Sequence, residues 1–335
     1  VHRPANRVSR LLWPAASILL GGLGLGLLVL GAFPELQLLH RRLAMAAAFA
    51  PYGVLAWVAA ILVAATTSRG RRRWLVLPLV LGLAAHVLTL VRYLPAPTPG
   101  HGGAADLTVL TLNLRYGLAD LDELLGVVER TPVDLLVLTE VTARNAAAFT
   151  GTGWHDALPY SAGHPGRDQD PVTGAGDPTG TMVLSRQPLT ELQWDGTALD
   201  VNGVVVRVQL PGREFTLVAA HPESSTARLV DWKADAVSLS ELVASYSTGP
   251  LIVAGDLNAT AEQFPLRALE TSAGLADTAR NQGWLPTFPA DQWFPPLVQI
   301  DHVLVSPEFT TIDVSTVRVP DTDHLGLLVR LGFAR

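Results

Sequence analysis

Asn113, Glu140, His221, Asp256, Asn258, Asp301, Asp323 and His324 carry amide, carboxylate and imidazole groups, and all eight lie within or at the end of short apolar runs. The runs read LTVLTLNL, DLLVLTE, FTLVAAH, PLIVAGDLN, VQIDHVLV and DTDHLGLLVRL. A charged group at the end of an apolar strand is costly unless it is paired or bound to a metal. Six such endings in one stretch of chain therefore point to a shared polar centre. Carboxylate and amide oxygens are the donors of hard divalent cations, and imidazoles beside them can stabilise charge growing on phosphorus. The chemistry these residues suit is metal-assisted hydrolysis.

Glu140 ends a nearly all-apolar strand and is the first candidate metal ligand. Asn113 can either lend the same metal an amide oxygen or orient Glu140. In Asp256-Leu257-Asn258, alternation along an extended chain predicts that Asp and Asn share one side, one for water and the other for a phosphoryl oxygen. His221 and His324 are candidate phosphate contacts. Asp301 is placed to hold the tautomer of His324, and Asp323 to bind metal or activate water. His302 follows Asp301 and points to the opposite face, so it is left out.

These residues need strands to deliver them. Val/Leu/Ile-rich runs bounded by Gly, Pro, Asn or Asp predict strands near 107–114, 134–140, 181–186, 203–210, 214–221, 250–255, 299–305 and 326–332. Helices are predicted near 119–130, 226–246 and 262–273. The clearest has Leu229, Trp232, Ala236, Leu239, Val243 and Tyr246 on one stripe. Strands alternating with helices predict an α/β sandwich with two mixed sheets at its centre.

The front of the chain obeys a different rule. Leu11–Phe33, Leu43–Thr67 and Trp74–Val91 contain no Asp, Glu, Lys or Arg, and each approaches or exceeds the roughly 20 residues that cross a bilayer. Three transmembrane helices are predicted, about 11–33, 43–67 and 74–93, within an anchor spanning 1–94. A Pro/Gly linker at 95–104 then leads to a single catalytic domain at 105–335. Arg3, Arg7 and Arg10 precede the first span, and Arg69, Arg71, Arg72 and Arg73 separate the second from the third, against Arg41 and Arg42 between the first two. The positive-inside rule then predicts a plasma-membrane protein with a cytoplasmic N-terminus and an extracellular domain. The absence of Cys fits that compartment.

Residues 1–100 hold ten of the 24 Lys and Arg and one of the 30 Asp and Glu, which leaves 14 against 29, or −15, for residues 101–335. So acidic a domain is a poor match for nucleic acid, although Arg115, Arg144, Arg167 and Arg186 could form a local basic patch. Two loops stand out. Ser161–Gly180 is polar and long, a candidate substrate loop or an insertion. Trp284–Leu297, WLPTFPADQWFPPL, could grip an apolar substrate, touch a membrane or fold onto the core. Tyr160, Arg186 and Trp293 are the candidate substrate contacts.

Asn113, LTE with Glu140, His221, GDLN with Asp256 and Asn258, QID with Asp301, and TDH with Asp323 and His324 resemble, in order, the motifs of the endonuclease/exonuclease/phosphatase superfamily. The resemblance implies a four-layer α/β sandwich and Mg²⁺-dependent (or Mn²⁺-dependent) hydrolysis of a phosphate ester or anhydride by in-line attack of water. It implies that Glu140, Asn113 and Asp323 serve the metal, and that Asp256 orients or deprotonates the water. Asn258 and His221 would contact phosphoryl oxygens while Asp301 pairs with His324. Thr322 stands where the family most often has Ser, and Thr139 where many members have Gln. Three membrane helices before such a domain are similar to the actinobacterial VanJ-type teicoplanin-resistance proteins. That similarity implies a membrane lipid phosphate or pyrophosphate, such as undecaprenyl pyrophosphate, as substrate. The superfamily also leaves open cleavage of phospholipid headgroups or DNA, and an intact site argues against a lipid-binding protein without turnover.

Overall fold

The computed structural model describes residues 9–67, 76–95, 106–167, 179–193 and 202–334. The chain divides into two compact units, Val1–Leu94 and Pro95–Arg335. Most of the linker at 95–104 and of the arginines that set the predicted orientation lie outside the described residues.

In the first unit the helices are α1 (Ser9–Ala32), α2 (Arg41–Ala47), α3 (Gly53–Thr67) and α4 (Val76–Thr89). Two described stretches, Trp13–Ala32 and Val76–Tyr93, are long and apolar enough to cross a membrane. The middle apolar stretch departs from the expected single span. Arg41–Ala47 and Ala50–Thr66 meet at a 65° bend, so this segment is either a broken span or a re-entrant loop. Pro51 supplies the cause: it has no N–H to continue the ladder and sits in a tight 3₁₀ turn, Ala50–Tyr52. His86 Nε2 lies 2.8 Å from the Ala50 carbonyl at this break, and Trp57 Nε1 donates to His86 Nδ1 at 3.2 Å. Gly24 of the GGLGLG run and Gly82 leave the space that the Trp57 ring fills, so these glycines serve close helix packing.

The second unit runs β1 (Leu107–Asn113), α5 (Leu121–Arg130), β2 (Leu135–Thr139), α6 (Ala143–Ala148), α7 (Thr152–Ala157), β3 (Tyr160–His164), β4 (Thr181–Ser185) and β5 (Leu189–Glu191). It continues through β6 (Asn202–Leu210), β7 (Arg213–His221), α8 (Leu229–Ser245), β8 (Leu251–Asp256), α9 (Phe264–Ser272) and β9 (Ala276–Asp277). The last strands are β10 (Asp301–Val305), β11 (Phe309–Arg318) and β12 (Leu325–Phe333). One sheet has the order β11-β12-β1-β2-β4-β3 and the other β5-β6-β7-β8-β10-β9.

Strand parity sorts every side chain. Leu107, Val109, Leu135, Val137, Leu217, Ala219, Ile252, Ala254, Val303, Leu327 and Val329 pack together between the two sheets. Their alternates on the first sheet, Leu110, Leu112, Leu136 and Leu138, pack with Leu124 and Val128 of α5 and Trp154 of α7. On the second sheet, Val218, Val253 and Leu304 pack with Leu239 and Val243 of α8 and Leu266 of α9. The result is an α/β sandwich with two central mixed sheets and helices on both outer faces. Continuing the inward series by two residues from Ala219, Ala254 and Val303 gives His221, Asp256 and Asp301.

Some elements go beyond those that apolar runs predict: β3, β5, β9, β11, α6 and α7. Half of β11 is Thr, Ser and Asp on a half-buried edge, FTTIDVSTVR, so its alternation carries little hydrophobic contrast. β3 takes Ser161–His164 out of the expected loop, and residues 168–178 of that loop lie outside the described ones. The expected helix from 226 begins instead at Leu229, where buried Asp235 accepts the Glu223 N–H at 2.9 Å and ties the chain leaving β7 to α8.

Gly255 brings Asp256 into place at φ +145°, and a Cβ there would collide with the Ala220 carbonyl of β7. Gly255→Ala is expected to cost about 2–4 kcal/mol. It should lower the unfolding midpoint followed by circular dichroism in detergent; an unchanged midpoint would show that the strand pair gives way without strain.

Candidate active site

The inter-sheet core ends in an open cleft of about 400 Å³. Glu140, His221, Asp256, Asn258, Asp323 and His324 line it, and Asn113 and Asp301 lie buried behind them. β1 and β2 run parallel and pair Asn113 with Thr139, so Glu140 emerges one residue beyond the ladder. It does so in the left-handed region, φ +56°, a strained conformation for a residue with a Cβ. Both its oxygens are engaged: Oε1 accepts from Asn113 Nδ2 at 3.0 Å and Oε2 from the Tyr116 N–H at 2.7 Å.

Asn113 Nδ2 also donates to Asp256 Oδ2 at 2.9 Å, while its Oδ1 accepts the Arg115 N–H at 2.8 Å. Of the two roles read from the sequence, this arrangement matches orientation of Glu140; the amide oxygen is turned away from the carboxylates. Asp256 and Asp301 are direct partners across the antiparallel β8–β10 pair. His324 Nδ1 meets Asp301 Oδ2 at 2.9 Å, and its Nε2 lies 3.7 Å from Asp256 Oδ2. From the other side, His221 Nε2 stands 3.6 Å from Asp256 Oδ2 and 4.0 Å from Glu140 Oε1. Thr322 keeps the hydroxyl function of the serine it replaces: Oγ1 donates to the Asn113 carbonyl at 2.7 Å and accepts the His324 N–H at 3.2 Å.

The expected extended geometry of Asp256-Leu257-Asn258 is not what forms. β8 ends at Asp256, and Asn258 turns to φ +49° as its N–H bonds back to Asp256 Oδ1 at 2.9 Å. This Asx turn still brings both side chains to the cleft, with Asn258 Nδ2 bonded to the Pro222 carbonyl. His302, on the opposite face, is fully buried between Asp277 and the Ala259 carbonyl and plays no part in the cleft.

The expected substrate contacts lie elsewhere. β4 runs antiparallel to β2 and pairs Ser185 with Leu135, so Tyr160 and Arg186 sit at the far end of the sheet. That is four strand residues, roughly 13 Å, from the catalytic edge. Trp293 is 94% exposed and does not line the cleft; from the same loop, Phe288 does, its ring 4.9 Å from that of His324. Residues not singled out as site residues also line it: Arg115, Tyr116, Asn202, Glu223 and Thr226. Asn202 had a legible signal, since the β6–β7 hairpin pairs it with His221. Arg115 and Tyr116 follow Asn113 in left-handed conformations, at φ +49° and +54°, before Gly117. Arg115 bonds Asp291 at 2.9 Å and reaches within 3.9 Å of Asp323.

So many carboxylates around one cleft shape its proton chemistry. Burial pulls the His324 imidazole down, but Asp301 and Asp256 outweigh it and raise it to about 10. Burial pushes the Asp301 carboxyl up although His324 draws it back. Burial, then Glu140 and Asp323, push the Tyr116 phenol up. Among the described residues, buried Asp301 Oδ1 has no hydrogen-bond partner. Ligand atoms of Asp256, Asp301 and His324 lie within 4.8 Å of one another. An oxygen-rich cluster with Glu140 and Asp323 beside it fits a hard divalent cation.

Because the His324 proton is bound more tightly in the folded than in the unfolded chain, its stabilisation is complete below about pH 6.5 and is lost as pH rises through about 10. In EDTA, thermal midpoints should fall between pH 7 and 10. His324→Asn should flatten that fall, and parallel curves for the two proteins would refute the assignment.

Residues 110–324 match the Endonuclease/Exonuclease/phosphatase family. No protein of curated function matches the sequence. Solved structures similar to the chain include an endonuclease/exonuclease/phosphatase from Beutenbergia cavernae, at 22% identity, covering 69% of this chain and 72% of that one, with a TM-score of 0.51. A family protein from Bacteroides thetaiotaomicron is 18% identical over 68% of this chain and 98% of that one, TM-score 0.52. The AP endonuclease LMAP from Leishmania major is 15% identical over 73% and 94%, TM-score 0.53. These likenesses bear on the fold, and the family match, which begins within β1 and stops just before β12, includes every residue that lines the cleft: the chain belongs to the endonuclease/exonuclease/phosphatase family of divalent-metal-dependent phosphoester hydrolases.

Proposed function

We propose that this chain is a membrane-anchored phosphohydrolase that acts outside the bilayer on a lipid-linked phosphate or pyrophosphate, with undecaprenyl pyrophosphate as the leading substrate. The observation that carries this reading is a complete hydrolytic cleft in the same chain as helices apolar enough to cross a membrane, joined by about a dozen residues. Tethering of that kind raises the effective concentration of a membrane substrate.

Glu140 and Asp323 would hold the cation, with the Asn113 amide fixing Glu140 relative to Asp256. Mg²⁺ is the leading candidate for its identity. When bound, it would neutralise phosphoryl oxygens and lower the cost of charge on the leaving group. Asp256 accepts a hydrogen bond from water and aims it at phosphorus. His221 and Asn258 donate to the non-bridging oxygens, and His324, kept cationic by Asp301, faces the charge that grows in the transition state. The hydrophobic tail leaves the cleft past Phe288. Hydrolysis of a cell-wall carrier on this face is the activity through which the chain would influence teicoplanin susceptibility.

Phosphodiester hydrolysis of phospholipid headgroups uses the same groups and is the second reading. Nucleic acid is disfavoured by charge: Arg115 is the one Lys or Arg among the described lining residues, and Asp291 already neutralises it.

Full-length protein in detergent should release phosphate from undecaprenyl pyrophosphate with Mg²⁺ and not with EDTA. Asp256→Ala is expected to lower the rate by about 10³-fold or more. Absence of release from the wild type, with turnover of a phospholipid diester, would replace the leading reading by the second.

A further inference from the structure

The segment Trp284–Leu297 is rigid at its base and bare at its tip. Phe288 and Val298 exchange backbone hydrogen bonds of 2.9 and 3.0 Å, and the Ala290 N–H donates to the Asp323 carbonyl at 2.7 Å. Arg318 Nη1 donates to the Ala290 carbonyl at 2.9 Å, and Asp291 pairs with Arg115. Beyond these ties Trp293 projects 94% exposed, edge-on to Phe294 at 5.5 Å, followed by Pro295 and Pro296. An indole held in water by a braced loop leaves a large apolar area unburied. Nothing in the cleft chemistry requires it.

The geometry points to a membrane-docking tip: Trp293 and Phe294 insert into the lipid–water interface of the bilayer that carries the chain's own helices, and so turn the mouth of the cleft toward that surface. This rests on the membrane-anchored reading above and adds how the globular unit engages the bilayer. Three observations select lipid as the occupant. Twelve residues, Pro95 to Asp106, separate the end of the last apolar stretch from β1, a reach of roughly 40 Å at most, so the globular unit never leaves the neighbourhood of the membrane. Trp is the side chain that settles at the headgroup level, its ring in the acyl boundary and its N–H in the wet layer. Finally, residues 101–335 carry a net −15, which repels anionic headgroups, so attachment must come from apolar insertion. The loop that bears the tip also supplies Phe288 to the cleft and Asp291 to Arg115 on its wall. A lipid phosphate drawn up beside the tip would therefore enter along Phe288 without crossing bulk water.

The chain has no cysteine, which permits single-site labelling. Gln292→Cys, next to the indole, carries an environment-sensitive fluorophore in full-length protein reconstituted into phosphatidylcholine vesicles containing shallow doxyl-labelled lipid. Lys233→Cys on the exposed side of α8 serves as the reference. Docking predicts quenching at 292 roughly twofold or more above that at 233. It also predicts that Trp293→Glu, a change at a solvent-exposed position that leaves the fold intact, brings the 292 signal down to the reference. Equal quenching at both sites, or a signal indifferent to Trp293→Glu, would overturn it. Carbonate-resistant flotation of the same vesicles reports the anchor separately, and its loss would overturn the docking with it. Quenching retained without lipid-phosphate hydrolysis would keep the docking and remove the proposed substrate, and the converse pattern would remove the docking alone.

Discussion

Two carboxylates opposed across an antiparallel ladder repel each other, and Asp256 and Asp301 are placed in that way by the pairing of β8 with β10. The arrangement persists because His324 lies between them as a cation, bonded to Asp301 and within 3.7 Å of Asp256. Its place depends in turn on Thr322, whose hydroxyl spans the Asn113 carbonyl of β1 and the His324 N–H. Asn113 then closes the circuit by donating to both Glu140 and Asp256. Residues from both sheets are therefore joined by one polar network at the end of one apolar core. Removing a member strands buried charge, which is far more costly than losing a single hydrogen bond.

The same network explains how much of the site was legible in the sequence. Residues at the ends of apolar, period-two runs announce themselves because hydrophobic alternation fixes the face on which the terminal side chain appears. His221, Asp256 and Asp301 all continue inward-facing series; the first two line the cleft and Asp301 lies buried directly behind it. Legibility falls off where the backbone leaves that alternation. Glu140, Asn258, Arg115 and Tyr116 are left-handed, so extended-chain geometry does not say where they point. Tyr160 and Arg186 fail for another reason. Exposed aromatic and cationic residues look alike at either end of a strand, and only the β2–β4 register shows that these two lie at the remote end.

The long apolar segments are legible as composition and not as path. Absence of charge locates the apolar stretches, but the 65° break in the middle one follows from a backbone event at Pro51 that hydropathy does not register. The break leaves polar groups in an apolar setting, and His86 and Trp57 answer it with a two-step hydrogen-bonded chain to the Ala50 carbonyl. Gly24 and Gly82 admit the indole, and Gly53 admits the imidazole, since a Cβ at any of them would strike a ring. Small residues on three helices thus serve a polar repair, and within GGLGLG it is Gly24 that makes room for the Trp57 ring.

Arg115 tempers the acidity of the cleft rim. Its guanidinium is held by Asp291 at 2.9 Å and lies 3.9 Å from Asp323, so it offsets carboxylate repulsion at the rim without entering the metal-binding cluster. Because Asp291 belongs to the loop that carries Trp293, this ion pair couples the rim of the cleft to the most exposed aromatic among the described residues of the globular unit. A single arginine two residues after Asn113, its N–H bonded to the Asn113 amide oxygen, therefore connects the inner polar network to the rim of the cleft.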